Sequence, residues 1–170
     1  NYIDKIKNQD MHNIVRSTAT ASKEKLWSYP AAKQNPHAVR SGLMYHIMTM
    51  LRMGEKASEV YLGLNRDLLF SGIILHDIAK TAEMNASELG IVSEYTIEGE
   101  LLGHIIQGIK LIEQTAAMIG ADQEVSLLLQ HMILSHHYEP EFGSPKRPMI
   151  PEAELLHYLD MIDARMYDMG

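Results

Sequence analysis

Five positions in this chain place a histidine or an aspartate where the surrounding pattern is apolar: His46, His76, His104, His136 and Asp160. His46 follows Leu43 by three residues and precedes Met50 by four, and His76 follows Ile73 by three. His104 follows Leu101 by three, His136 follows Met132 by four and Ile133 by three, and Asp160 follows Leu156 by four. Residues three or four apart share a helix face, so all five are expected to point inward. Asp77, beside His76, adds a second carboxylate. A single inward histidine is most often a hydrogen-bonded core residue. A buried carboxylate is harder to accommodate, because an unpaired charge in a core is costly. Four imidazoles and two carboxylates on separate helices share one explanation, a metal centre.

The donor types narrow the chemistry. Neutral imidazole with carboxylate suits borderline divalent ions such as Mn²⁺, Fe²⁺ or Zn²⁺, and the lack of cysteine argues against a closed structural zinc site. The side chains of His76 and Asp77 diverge by about 100° around a helix. Near a helix end they could grip one ion from two sides, or Asp77 could bridge two. Six protein ligands exceed what one open ion uses and match two ions sharing a carboxylate and a water. Two such ions would activate a hydroxide and stabilise the oxygens of an in-line phosphoryl displacement.

The elements that must position these groups read as helices. Apolar residues recur at helical spacing along nearly the whole chain, and alternating strand-like runs are scarce. An all-α bundle is expected. One helix and part of a second should occupy residues 2–28, and a loop 29–42, which holds Pro30, Pro36 and Gly42. A helix over about 40–60 carries His46. Asn65 is the expected N-cap of the next, with Asp67 in its first turn, and that helix carries Leu68, Leu69, Ile73 and His76. The segment 83–95 breaks the period around Gly90, where a small β-hairpin is expected. Thr96 to about Ile119 should form a helix stopped by Gly120. Asp122 should cap another that ends near His137, and Pro151 should open a last helix running to about residue 167.

Composition bounds the rest. At 170 residues, 46% of them hydrophobic and 22% charged, the chain is expected to fold as one globular domain, residues 1–170. It has no run of eighteen apolar residues, no signal-peptide pattern and no cysteine, so the expectation is the cytoplasm and no membrane partner. A net charge of −7 disfavours a free-standing nucleic-acid binder relying on phosphate attraction; a polyanionic substrate would need metal ions or another domain. The chain opens at Asn1 rather than Met, as a piece of a longer chain would.

The order His46, His76-Asp77, Asp160 resembles the pattern of the HD superfamily of metal-dependent phosphohydrolases, and His104 and His136-His137 resemble the longer version of its two-metal members. The resemblance covers residues 29–167. Within it, "SGLMYHIMTMLRM", "LNRDLLFSGIILHDIAKTAE", "EYTIEGELLGHI" and "ILSHHYEPEFGSPKRPMIPEAELLHYLDMIDA" are similar to the HD domain of bacterial YhaM-type 3′→5′ exoribonucleases. The resemblance implies an HD-domain helical bundle in which His46, His76, Asp77 and Asp160 are core metal ligands and His104 and His136 complete a second site. It implies one or two divalent ions, Mn²⁺ first, with Fe²⁺, Mg²⁺ or Zn²⁺ as alternatives. Asp77 and Lys80 would be catalytic, Lys80 by contacting substrate phosphate. It also implies an N-terminal OB-fold domain in a longer chain, and leaves a homo-oligomer open.

Three positions stay ambiguous at this level. His137 could replace or join His136, and His131, about 140° away from His136 round the helix, fits packing or outer support. Asp163, one turn beyond Asp160, could exchange roles with it, although "YLD" matches the family's final aspartate. Pro36-His37 stands where the family pattern would place paired histidines. "FGSP", residues 142–145, stands where HD-GYP cyclic-dinucleotide phosphodiesterases carry Gly-Tyr-Pro. Lys146 and Arg147 are candidate phosphate contacts. The expected function is a metal-dependent phosphodiesterase, a 3′→5′ exoribonuclease domain hydrolysing single-stranded RNA. The alternatives are a nucleotide or cyclic-dinucleotide phosphohydrolase, or a non-catalytic regulatory module that holds a metal.

Overall fold

The computed structural model describes the backbone of residues 1–28, 36–88, 94–139, 141 and 144–170; the side chains of 22–28, 36–41, 43, 77, 79–88, 94–100 and 104 lie outside the described set. The described elements are six helices: α1 (Gln9–Ser28), α2 (Pro36–Val60), α3 (Arg66–Glu88), α4 (Glu94–Ile119), α5 (Gln123–Ser135) and α6 (Pro151–Met169). There is no strand among the described residues, in line with the all-α expectation.

The central element is α3, which packs against each of the other five helices. Its sequence explains this position. Every residue from Leu68 to His76 is buried, so the run has no solvent face, as expected of a helix that is apolar all round. Phe70, Leu69 and Ile73 meet Ile14 and Val15 of α1, Met50 and Leu51 of α2, Leu129, Met132 and Ile133 of α5 and Leu156 of α6 in one cluster. Gly72 lets α5 come close, since a Cβ there would collide with Met132. The Ser71 hydroxyl donates to the Asp67 carbonyl at 2.6 Å and that of Thr18 to Ile14 at 2.7 Å, so these buried hydroxyls are satisfied within their own helices.

Local chemistry sets the helix ends. Asn65 caps α3 as expected, its side-chain oxygen accepting from Leu68 N–H at 3.1 Å. Asn8 caps α1 in the same way through Met11 N–H at 3.0 Å. Gly120, at φ 70°, ends α4, and Ala121 N–H reaches back to the Ala116 carbonyl at 2.9 Å. Pro151 opens α6 as its first residue.

Three boundaries differ from the expectation. Helix α2 begins at Pro36, inside the segment read as a loop, because proline is favoured in a first helical turn. The hairpin expected over 83–95 is not seen among the described residues: 83–88 continue α3 and 94–95 open α4, while 89–93 lie outside them. Glu83, Met84, Ala86 and Glu88 are good helix formers, and their propensity carries α3 onward. Asp122 stands at the N-cap of α5, but its side chain makes no capping bond. Its backbone N–H donates instead to the Asp10 carboxylate at 3.1 Å, fastening α5 to α1.

One bond fixes the relative height of two site-bearing helices. Asn65 N–H, at the start of α3, donates to Glu152 Oε2, in the first turn of α6, at 2.8 Å. Both helices therefore start from one level. With a rise of about 1.5 Å per residue, His76 lies about 16 Å along α3 and Asp160 about 12 Å along α6, heights that let side chains meet.

Candidate metal centre

His46 comes from α2, His76 from α3, His136 from the C-terminal cap of α5, and Asp160 and Asp163 from α6. His46, His76 and Asp160 converge: one potential ligand atom from each lies within 4.8 Å of the others. His46 Nε2 is 3.0 Å from Asp160 Oδ1, and His76 Nε2 is 3.3 Å from Asp160 Oδ2, so the carboxylate faces both rings. His76 is fully buried and His136 nearly so, at 0% and 3% exposure. The rings of His46 and His76 are 5.9 Å apart between centroids, those of His76 and His136 are 5.1 Å apart, and His137 follows 4.1 Å from His136.

The hydrogen bonds identify which ring nitrogens face the centre. A carbonyl oxygen can only accept, so His76 Nδ1, 3.2 Å from the Ile73 carbonyl, carries a proton. The same holds for His136 Nδ1 at the Ile133 carbonyl. His46 Nδ1 meets the Asp163 carboxylate, also an acceptor. In a neutral imidazole Nε2 then bears the lone pair. For His46 and His76 that nitrogen faces a carboxylate oxygen, and two acceptors at such distances repel unless positive charge lies between them. Two imidazolium ions side by side in a buried site would be costly. One divalent cation satisfies both nitrogens and the carboxylate together, so the donor set fits the ion that its chemistry implies.

His136 supports the same reading. Burial pushes its pKa down to about 3, and neighbouring His76 and His137 push in the same direction. A neutral imidazole is the ligating form. It lies beside the three converging residues without belonging to that set. Asp77, Lys80 and His104 fall outside the residues whose side chains are described. Gly103, immediately before His104, breaks α4 at φ 79° and ψ 159°, a conformation essentially restricted to glycine.

Several supporting groups escaped the sequence reading. His157 donates from Nδ1 to the His136 carbonyl at 3.0 Å, tying α6 to the end of α5. Its ring lies 4.7 Å from Tyr138 and 5.1 Å from Tyr158, forming an aromatic cluster beside His136. Tyr138 holds φ at 69°, in the left-handed region, and turns the chain sharply after His137. The buried Ser144 hydroxyl accepts from His137 N–H at 2.9 Å. Only the short spacing of His157 to Asp160 hinted at any of this. His131 Nε2 accepts from Met149 N–H at 3.0 Å and secures the loop before α6. Arg147, read as a candidate phosphate contact, donates to both Glu139 oxygens at 2.8 and 3.0 Å and lies over the Tyr138 ring.

No helix among the described residues is long and apolar enough to cross a membrane. Residues 43–165 match the HD domain family. A protein of Bacillus licheniformis named 3′-5′ exoribonuclease YhaM is 43% identical over 165 residues, covering 97% of this chain and 52% of that protein. Proteins of the same name from Bacillus subtilis and Oceanobacillus iheyensis are 42% and 43% identical over 165 and 169 residues, again 52% of their lengths. The chain thus spans about half the length of the curated relatives it matches. No solved structure matches it.

Proposed function

Because the chain belongs to the HD domain family, we propose that it is the hydrolytic part of a divalent-metal-dependent 3′→5′ exoribonuclease acting on single-stranded RNA. The convergence of His46 Nε2, His76 Nε2 and the Asp160 carboxylate carries this reading. The similarity to relatives named as 3′-5′ exoribonucleases supplies the substrate class. A divalent cation, Mn²⁺ first among the candidates, would polarise the phosphodiester and provide a nucleophile from water at neutral pH.

The protein groups divide the remaining tasks. His46 and His76 present neutral nitrogen donors, and Asp160 offsets the charge of the ion. Asp77, His104 and His136 extend the ligand set to the two-ion arrangement, and Lys80 contacts a substrate phosphate. Placement on helices packed around α3 keeps the ligands in register and shields the interior from water. Tyr158, about half exposed, lies against His157, which holds the His136 carbonyl, and offers a flat surface for a base of a single strand. Stacking of this kind tolerates any base.

The overall charge of −7 makes the approach of RNA the weakest task of this part of the molecule. We assign it to the rest of a longer chain, through an N-terminal OB-fold domain, and place the protein in the cytoplasm.

The test is a single-stranded RNA labelled at its 5′ end, incubated with Mn²⁺ and either this chain or its full-length parent. Stepwise shortening that stops on chelation and in His76→Ala is expected. Cleavage that survives His76→Ala, or hydrolysis confined to free nucleotides, would falsify the proposal.

A further inference from the structure

We infer that Asp163 is the positioning residue of the metal centre: its carboxylate accepts a hydrogen bond from His46 Nδ1–H and so commits Nε2 of that ring to the cation. The inference rests on the metal centre proposed above and concerns a residue outside its ligand set.

The imidazoles of His46, His76 and His136 obtain this orientation by different means. His76 and His136 each give Nδ1–H to the carbonyl three residues earlier in their own helix, Ile73 and Ile133. Their tautomer is set locally and forms with the helix. His46 gives Nδ1–H to a side chain of another helix, 117 positions along the chain. Its tautomer therefore depends on the docking of α6 against α2.

Burial singles out the same residue. From Met161 to Gly170 every residue of the described chain is exposed except Asp163, whose side chain is 15% exposed. Among the described residues Asp163 pairs with His46 rather than with its neighbour Arg165. Asp160 and Asp163 stand about 4.5 Å apart along the axis of α6. From there they address the two opposite nitrogens of one ring, Asp160 at Nε2 and Asp163 at Nδ1. The ring can neither flip nor exchange its proton between nitrogens without losing one carboxylate. A carboxylate acceptor also makes the opposite nitrogen more basic than a backbone carbonyl does, which strengthens its bond to a cation. The two aspartates of "LDMID" thus have unequal roles: Asp160 faces the ion, and Asp163 holds the ligand.

Calorimetric titration of the purified, metal-free protein with Mn²⁺ tests this in wild type, Asp163→Ala, Asp163→Asn and His76→Ala. Asp163→Ala is expected to bind Mn²⁺ roughly 10- to 100-fold more weakly, the usual effect of removing a carboxylate behind a ligating histidine. Asp163→Asn keeps the size and one acceptor oxygen, so the fold is retained and affinity should recover in part. A second readout is the ring N–H signal of His46 in the zinc-loaded protein by nitrogen-15 NMR. It should be protected from exchange in wild type and lost in Asp163→Ala, which a purely structural role would not require. Wild-type Mn²⁺ affinity in both Asp163 variants, with the protected signal intact, overturns the inference while leaving the centre standing. Equal affinity in wild type and His76→Ala removes the metal centre itself, and the inference with it.

Discussion

Two stretches of α3 meet the same neighbouring helices with opposite chemistry. From Leu68 to Leu75 the helix is surrounded by aliphatic and aromatic groups and its one hydroxyl, that of Ser71, bonds within its own turn. At His76 the same packing encloses imidazoles and a carboxylate whose lone pairs face each other. The first region is stabilised by removing apolar surface from water, which is non-directional and roughly proportional to area. The second is a group that could hold a metal ion, and it depends on angles and on which nitrogen carries a proton. Stability and function therefore sit on consecutive turns of one helix. The apolar turns position the polar ones.

That separation can be broken from the core side first. Phe70 is fully buried, packs edge-on against Tyr2 at 5.4 Å and has no contact with the centre among the described interactions. Phe70→Ala should cost about 3–5 kcal/mol of stability in urea unfolding. The fraction that remains folded should bind Mn²⁺ as wild type does; weakened binding in that fraction would show that core and site are coupled.

A smaller effect is expected where α4 carries backbone strain. Gly103 has φ 79° and ψ 159°, and a Cβ there meets no atom within 4 Å. The cost of Gly103→Ala is therefore conformational, about 1–3 kcal/mol. Chemical denaturation of the metal-free protein measures it. A neutral substitution would mean that α4 can run straight through this position.

The smallest effect is a pH dependence confined to the polar region. His136 has its pKa lowered to about 3 by burial first and by His76 and His137 next. The unfolded chain takes up its proton near pH 6.5, so below that pH the unfolded state binds more protons and stability falls. The contribution is present above pH 6.5 and is lost progressively toward pH 3. From pH 6.5 to 5.5, where carboxylates remain ionised, the metal-free protein should lose about 1 kcal/mol, and the loss should shrink in His136→Asn. His131, also lowered by burial, acts in the same direction. A flat profile over this window would show that the polar region is solvated.

Much of this was legible in the primary structure, for physical reasons that differ by feature. The caps at Asn65 and Gly120 and the start of α6 at Pro151 depend on a few adjacent residues, so composition reveals them. The inward placement of His46, His76, His136 and Asp160 follows from helical periodicity. Where a hairpin is expected near 83–95, the described residues are helical, because Glu83, Met84, Ala86 and Glu88 favour a helix. The capping role expected of Asp122 is not filled by its side chain, and its backbone N–H bonds to Asp10, a partner distant in sequence. His157 and Ser144 were missed because each acts through one backbone group distant in sequence.

The amino-acid sequence by itself determined an all-helical chain with imidazoles and carboxylates on the inner faces of separate helices, since periodicity is a property of neighbouring residues. Only the tertiary structure decided which of these groups meet, and that Asp160 faces two rings while Asp163 holds one of them. The two aspartates lie on one helix with the same chemistry and similar burial. Their difference arises from where α2 and α3 cross α6, and no local pattern in the sequence encodes the crossing of helices.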